Sequence, residues 1–307
     1  MSLRYLGGLT TDGTALFIAD GNNKLIRKID LTTSYITTIA GKLENYADGT
    51  GENGEFRYPN KIVRIGTDLY VADNYRFRKV DPATGAVVTI QISGESYNYI
   101  DRLTSDGTDI YFTSYVSGGN SSGYKLFKLS VADGVVSMLD LVDDNGNTYS
   151  ISNSIIGLVP DGTNLIVAVS TSPKTFLRIS LQTGLVTPYT TGGMTLPWFN
   201  GMEKIGDSLF AVSSNSIYEI KLSGTSATAS TVSLSGIDDS TSVSFQQMTA
   251  FGDDLYLSSS SGNNEIYQVN LAVGQNGVRT GTATQIDPTT TAASYYNTGT
   301  EVSLRYL

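Results

Sequence analysis

Apolar residues along this chain fall in short runs bounded by polar turn residues, as in Leu16-Phe-Ile-Ala19 and Leu69-Tyr-Val-Ala72. Between them lie segments that mix apolar and charged positions, Leu25-Ile-Arg-Lys-Ile29 and Phe77-Arg-Lys-Val80, the pattern of half-buried strands. The pattern predicts four strands at Gly8–Thr11, Leu16–Ala19, Leu25–Ile29 and Tyr35–Ile39. It predicts four more at Lys61–Ile65, Leu69–Ala72, Phe77–Val80 and Ala86–Ile90. Further strands of the mixed type follow at Lys125–Leu129, Phe176–Ile179, Ile217–Ile220 and Ile266–Val269. No segment has the period of a helix of useful length. In the mixed strands the charges of Leu25–Lys28 and Arg76–Lys79 are expected to point alternately to solvent.

Six turns carrying glycine break directly into an apolar strand, and they recur. Asp12-Gly-Thr, Gly66-Thr-Asp, Asp106-Gly-Thr, Asp161-Gly-Thr, Gly206-Asp-Ser and Gly252-Asp-Asp place their glycines 53, 41, 55, 44 and 46 residues apart. An all-β repeat of that length is the signature of a propeller blade. The predicted fold is therefore all-β: a single six-bladed β-propeller, four antiparallel strands per blade, over residues 1–307. Its blades are expected near 1–57, 58–98, 99–153, 154–198, 199–244 and 245–307. The longest polar stretches, 42–55, 274–281 and 289–300, are expected to be connections rather than domain linkers.

The runs Ile39-Ala-Gly-Lys-Leu-Glu-Asn-Tyr-Ala-Asp-Gly-Thr-Gly51, Phe56-Arg-Tyr-Pro59, Asp68-Leu-Tyr-Val-Ala-Asp-Asn74 and Arg78-Lys-Val-Asp81 resemble an NHL repeat. Phe17-Ile-Ala-Asp-Gly-Asn-Asn23 and Ile26-Arg-Lys-Ile-Asp30 resemble it almost as well, and from residue 99 the resemblance thins to the turn and the third strand. The resemblance implies a propeller, most often six-bladed, that binds protein, glycan or nucleic acid, with a minority of enzymes.

Composition narrows the chemistry. The chain has no histidine and no cysteine, so disulfides, thiolate catalysis, His- or Cys-ligated zinc and a Ser-His-Asp triad are excluded. The histidine-dependent lyases and quinone-dependent dehydrogenases that share this type of fold are excluded with them. A formal charge of −9 repels phosphate backbones and anionic lipid, so neither nucleic-acid binding nor membrane insertion is expected. The Ser, Thr, Asn, Gly and Tyr bias is that of an exported bacterial protein, extracellular, periplasmic or on the cell surface. Met1-Ser-Leu-Arg-Tyr-Leu6 lacks the apolar core of a signal peptide, so an export signal is expected outside this sequence.

What survives is carboxylate chemistry, oxygen-ligated calcium and binding without catalysis; no cofactor is expected, calcium being the one left open. Asp140-Leu-Val-Asp-Asp-Asn-Gly-Asn147 is the densest carboxylate run. Its spacing departs from an EF-hand loop, and it reads as a hairpin around Asn145-Gly146, flanked by 138–142 and 148–151. The acidic stretch Glu44, Asp48, Glu52 and Glu55 reads as solvated loop. Ser122-Gly-Tyr-Lys125 has the spacing of some acyl enzymes, but at a loop-to-strand junction rather than on a helix. Asn120-Ser-Ser122 is a lone glycosylation sequon.

Aligning the six repeats brings the starts of the innermost strands to one mouth of the central channel. Gly7-Gly8, Asn60, Lys61, Asp101, Arg102, Ile156-Gly157, Asn200-Gly201, Gln246 and Gln247 stand there, with Arg64, Glu203 and Lys204 a step deeper. Amides, cations and a carboxylate on a concave face suit a polar ligand such as a glycan or a peptide, although water-filled channels are also lined with polar groups. Loops between second and third strands, among them Asn22-Asn23, Asn74-Tyr75, 115–124 and Asn263-Asn264, reach the same face by family geometry. Trp198 and Phe199 read either as an aromatic platform for a sugar ring or as packing between blades. The leading reading is a binding module for protein or glycan. The alternatives are a lactonase-like enzyme using carboxylates or calcium, and a structural unit of a tandem array.

Ser2-Leu-Arg-Tyr-Leu6 recurs as Ser303-Leu-Arg-Tyr-Leu307, in register with Glu55-Phe-Arg-Tyr-Pro59. The second copy is expected to be dispensable for a folded monomer, as in a unit cut from a repeating array.

Overall fold

The structure, a computed structural model, describes residues 3–42, 45–117, 123–237, 243–260, 265–273 and 278–287. These form two compact units. One is drawn from residues 1–90, Ser235–Leu271 and the segment from Thr282; the other from Gln91–Leu234 and Ala272–Gly281.

In the first unit, β1 (Leu6–Thr11), β2 (Ala15–Asp20), β3 (Leu25–Asp30) and β4 (Ile36–Ala40) make a four-stranded antiparallel meander. β5 (Gly49–Thr50), a turn of 3-10 helix at Gly51–Asn53, β6 (Pro59–Ile65), β7 (Asp68–Asp73), β8 (Arg76–Val80) and β9 (Ala86–Thr89) follow. β6 to β9 repeat the meander, with β5 added antiparallel outside β9.

In the second unit, β10 (Ser93–Gly94) lies parallel against β14 (Val135–Met138). It closes the meander of β11 (Arg102–Ser105), β12 (Ile110–Val116), β13 (Gly123–Leu129) and β14. β15 (Ile155–Asp161), β16 (Asn164–Val169), β17 (Thr175–Ser180) and β18 (Val186–Tyr189) form another. β19 (Gly201–Ile205), β20 (Ser208–Ser213), β21 (Ser216–Ser223) and β22 (Ser226–Ser235) form the last meander of this unit, whereas β23 (Phe245–Phe251), β24 (Asp254–Ser259) and most of β25 (Ile266–Val273) belong to the first; with β26 (Arg279–Ile286) all eight make up one sheet.

The described residues are all-β without an α-helix, their sheets arranged as a propeller. Four sheets stand apart with four or five strands each. The last two expected blades fall together in the eight-stranded sheet.

Local chemistry explains the meanders. Asp12 Oδ1 accepts the N–H groups of Thr14 and Ala15 at 2.8 Å, and Asp106 Oδ1 does the same for Thr108 and Asp109 at 2.9 and 2.8 Å. The six recurrent turn glycines all hold positive φ, from 58° at Gly206 to 91° at Gly107, which a side chain at those positions resists. Each second strand is buried on both faces. Leu16 and Ile18 face one cluster with Leu3, Leu9 and Tyr256, whereas Ala15, Phe17 and Ala19 face another with Phe56, Ile62 and Val71. In the second unit Val167 packs with Leu158 and Leu177, and Ile166 with Phe176 and Phe199.

The expectation that the charges of the mixed strands point to solvent holds for Lys79, which is exposed, and fails for Arg27 and Arg78. Arg27 and Arg78 are among the most buried side chains of the molecule. Arg27 Nε lies 3.3 Å from Asp20 Oδ2 and its Nη1 donates to Thr38 Oγ1; Arg78 pairs with Asp73 and Asp48. Burial pushes the Asp20 and Asp73 carboxyls up from their ordinary value, against the hydrogen bonds and guanidinium groups that pull them down. Residues 45–55 are also more than a bare connection. They supply β5 and the carbonyl of Ala47, which accepts from Arg78 Nη2 at 2.7 Å.

Candidate functional site

In the first unit the inner strands β1 and β6 approach each other closely at their starts. A Cβ on Gly7 would stand 2.6 Å from the Cα and carbonyl oxygen of Asn60, so only glycine allows this approach. Lys61 Nζ donates to the Gly7 carbonyl at 3.1 Å, which makes it a brace between strands. Asn60, beside it, is half-buried.

Gln246 and Gln247, on β23, line a pocket of about 60 Å³ together with Tyr5, Leu6, Ser259 and Ser260. That is space for about two waters. Gln246 Nε2 donates to Ser244 Oγ and Ser260 Oγ, each at 3.1 Å, and the Gln247 N–H donates to Ser258 Oγ at 3.2 Å. These bonds hold both residues by their neighbours' hydroxyls. Tyr5 sits at a φ of 54° just before β1 and leaves its ring about half exposed, at 53%. Tyr75, on the β7–β8 turn, is 46% exposed, with its ring 6.1 Å from that of Tyr46. Arg64 does not join this group. It is exposed near the far end of β6, where its charge helps hold the Asp12 carboxyl below its ordinary value.

In the second unit Arg102 Nε donates to the Ile155 carbonyl at 3.4 Å, and the Asp101 N–H to the Thr113 carbonyl at 2.9 Å. Asn200 donates its N–H to Val212 at 2.8 Å. Lys204, expected a step deeper than the mouth, has its Nζ 3.2 Å from Asp161 Oδ1, at the β15–β16 turn of the neighbouring meander. Glu203, one position earlier on β19, is half-buried, and burial pushes its carboxyl up to about 8. Trp198 and Phe199 part company. Trp198 is 49% exposed, whereas Phe199 is wholly buried against Phe176 and Tyr218.

The Asp140–Asn147 run is a hairpin turn. Val142 bridges Thr148, and Asp143 Oδ1 accepts the N–H groups of Asn145 and Asn147 at 2.9 and 2.8 Å. Among the described residues no three Asp or Glu side chains gather as a metal site. Glu44, Asn120, Ser122, Asn263, Asn264 and Ser303–Leu307 lie outside the described residues.

Sequence reasoning placed Gln246 and Gln247 but did not single out Tyr5, Ser259 or Ser260. The exact repeat of Ser2–Leu6 in register with Glu55–Pro59 was the available signal for Tyr5. Nothing local marks the two serines, which reach the pocket from the end of β24.

No family model matches the chain, and no curated protein matches it. Solved structures do. A luciferin-regenerating enzyme superposes with a TM-score of 0.60 at 14% identity, over 99% of this chain and 97% of that one. An aldose sugar dehydrogenase from Streptomyces coelicolor, in its PQQ-bound form, gives 0.53 at 16% identity, over 85% and 90%. The major allergen Mala s 1 of Malassezia sympodialis gives 0.51 at 12%, over 74% and 78%. At these identities the likeness is one of fold.

Proposed function

We propose that this chain is a non-enzymatic binding module, a six-bladed NHL-like propeller from a bacterial surface or secreted protein, whose ligand docks at the pocket beside Tyr5. The observation that carries this reading is the chemistry of that pocket. Two carboxamides, two hydroxyls, a phenol and one leucine line it. Amides and hydroxyls offer donors and acceptors without charge, which suits a hydroxyl-rich ligand better than proton transfer. The blade count is supported by the six glycine turns and by the two meanders, β19–β22 and β23–β26, within the eight-stranded sheet.

Calorimetry with oligosaccharides drawn from a glycan array tests it. Gln246→Ala is expected to weaken the best ligand about tenfold, the loss of one or two hydrogen bonds, with the melting temperature kept. Undiminished affinity in that variant removes the pocket from consideration.

Glu203 supports a second reading, an enzyme working through a carboxyl that titrates near neutrality; two of the structural neighbours are named as enzymes. Turnover of a lactone or ester panel, with a rate inflection near pH 8 that vanishes in Glu203→Gln, would establish it. A flat profile, or no turnover, removes it.

A further inference from the structure

Tyr5 is the rim of the pocket and also the first ring of a strip. Its centroid lies 5.9 Å from that of Tyr58, over which Lys24 Nζ sits at 5.0 Å. Arg57, the chain neighbour of Tyr58, places its guanidinium 5.7 Å from the ring of Tyr46. Arg76 lies over the same ring at 4.1 Å, and Tyr75 continues the row. The strip is therefore two tyrosine pairs, Tyr5–Tyr58 and Tyr46–Tyr75, joined through Arg57, with cations laid along it, and both outer tyrosines are about half exposed. Among the described residues neither Lys24 nor Arg76 belongs to an ion pair. Burial pushes the Tyr58 phenol up to about 12, and Tyr46 upward as well. These rings stay neutral, so they add no negative charge beside Lys24 and Arg76 in a chain whose net charge is −9.

We propose that the strip and the pocket bind one ligand, an acidic glycan whose sugar rings carry carboxylates. A hydroxyl-bearing substituent enters the pocket, ring faces lie against the exposed tyrosines, and Lys24 and Arg76 meet the carboxylates. This rests on the pocket reading above and names its ligand class. A nucleic acid fits less well, because the long-range field of an acidic chain opposes a charge at every unit, whereas a glycan that intersperses uronates with neutral sugars carries fewer charges. A peptide lacks its usual apolar anchor site, since Leu6 is the one aliphatic residue lining the pocket.

The test titrates the protein with a uronate oligosaccharide, its carboxyl-reduced neutral counterpart, oligoglutamate and oligo-dT. The uronate is expected to bind at least tenfold tighter than the neutral sugar, with an affinity that falls as salt rises. Lys24→Gln with Arg76→Gln is expected to erase that advantage while the neutral sugar still binds; Gln246→Ala weakens both sugars. Equal affinity for the two sugars, with Gln246→Ala still weakening them, overturns the acidic-glycan assignment and leaves the binding-module reading standing. Binding of neither sugar overturns both. Tighter binding of oligoglutamate or oligo-dT than of the uronate overturns the glycan assignment in favour of that class.

Discussion

Arg78 Nη1 lies 3.4 Å from Asp73 Oδ2, and both side chains are fully buried. Asp73 also accepts the N–H groups of Arg57 and Tyr58, at 2.9 and 2.6 Å. One carboxylate thus ties the end of β7 to the start of β6. Asp20 with Arg27, and with the Arg4 N–H at 3.0 Å, repeats the arrangement one blade earlier.

Removing one partner of such a pair leaves the other's charge uncompensated in the interior. Arg78→Ala and Asp73→Ala are each expected to lower the unfolding free energy by about 3–5 kcal/mol. Lys79→Ala, which breaks only the partly exposed pair with Asp68 at 2.8 Å, should cost less than about 1 kcal/mol. Urea denaturation of the three variants checks this, and equal costs would contradict the pairing as described.

Glu203 makes a pH prediction whose sign is fixed. Its carboxyl is raised from 4.5 to about 8, so the folded protein holds a proton that the unfolded chain has lost between those values. Stability on this account is full below 4.5, falls as pH rises towards about 8, and is constant above it. Glu203→Gln should therefore match the parent in acid and exceed it increasingly up to about pH 8. A variant less stable than the parent at pH 8 would show that the ionised carboxylate has a stabilising partner.

Two aromatic neighbours separate the two roles the sequence left open. Phe199→Ala is expected to cost about 3–5 kcal/mol, by the cavity it leaves. Trp198→Ala, at an exposed position, should change stability by less than about 0.5 kcal/mol. Thermal melts of the pair decide the matter; comparable losses would mean that Trp198 packs in the core.

Two glycines differ in the reason for their presence. Gly7→Ala places a methyl against the Asn60 backbone and is expected to cost about 3 kcal/mol. Gly66→Ala meets open space and pays only for its φ of 60°, about 1 kcal/mol. Denaturant midpoints of the two variants measure the difference, and the reverse order would refute the close approach of β1 and β6.

Strand positions were legible because turn chemistry and apolar runs act locally. The predicted Phe176–Ile179 differs from the observed Thr175–Ser180 by a residue at each end, whereas Ile217–Ile220 and Ile266–Val269 stop short of the observed Ser216–Ser223 and Ile266–Val273. What escaped depends on partners distant in the chain. Arg27 and Lys28 look equivalent in sequence, and only the carboxylate of Asp20 makes one of them an interior residue. The pairing of Lys204 with Asp161, on the turn of the neighbouring meander, likewise joins residues far apart in the chain. The repeat register singles out Gln246 and Gln247, which line the small pocket beside Tyr5. Their companions Ser259 and Ser260 have no such register to mark them, and the Tyr58–Tyr46 strip is assembled from three separate loops.

β5 is only two residues long, yet it occupies the outer edge of β9, where Val88 is 54% exposed. A bare outer strand with unpaired amides and an exposed valine is a template for adding strands from other molecules. The short segment Gly49–Thr50 takes up those amides, and the glutamates at 52 and 55 put charge beside them. Residues 49–55 therefore act as a guard against aggregation, and losing them would first appear as poor solubility rather than as a change in ligand affinity.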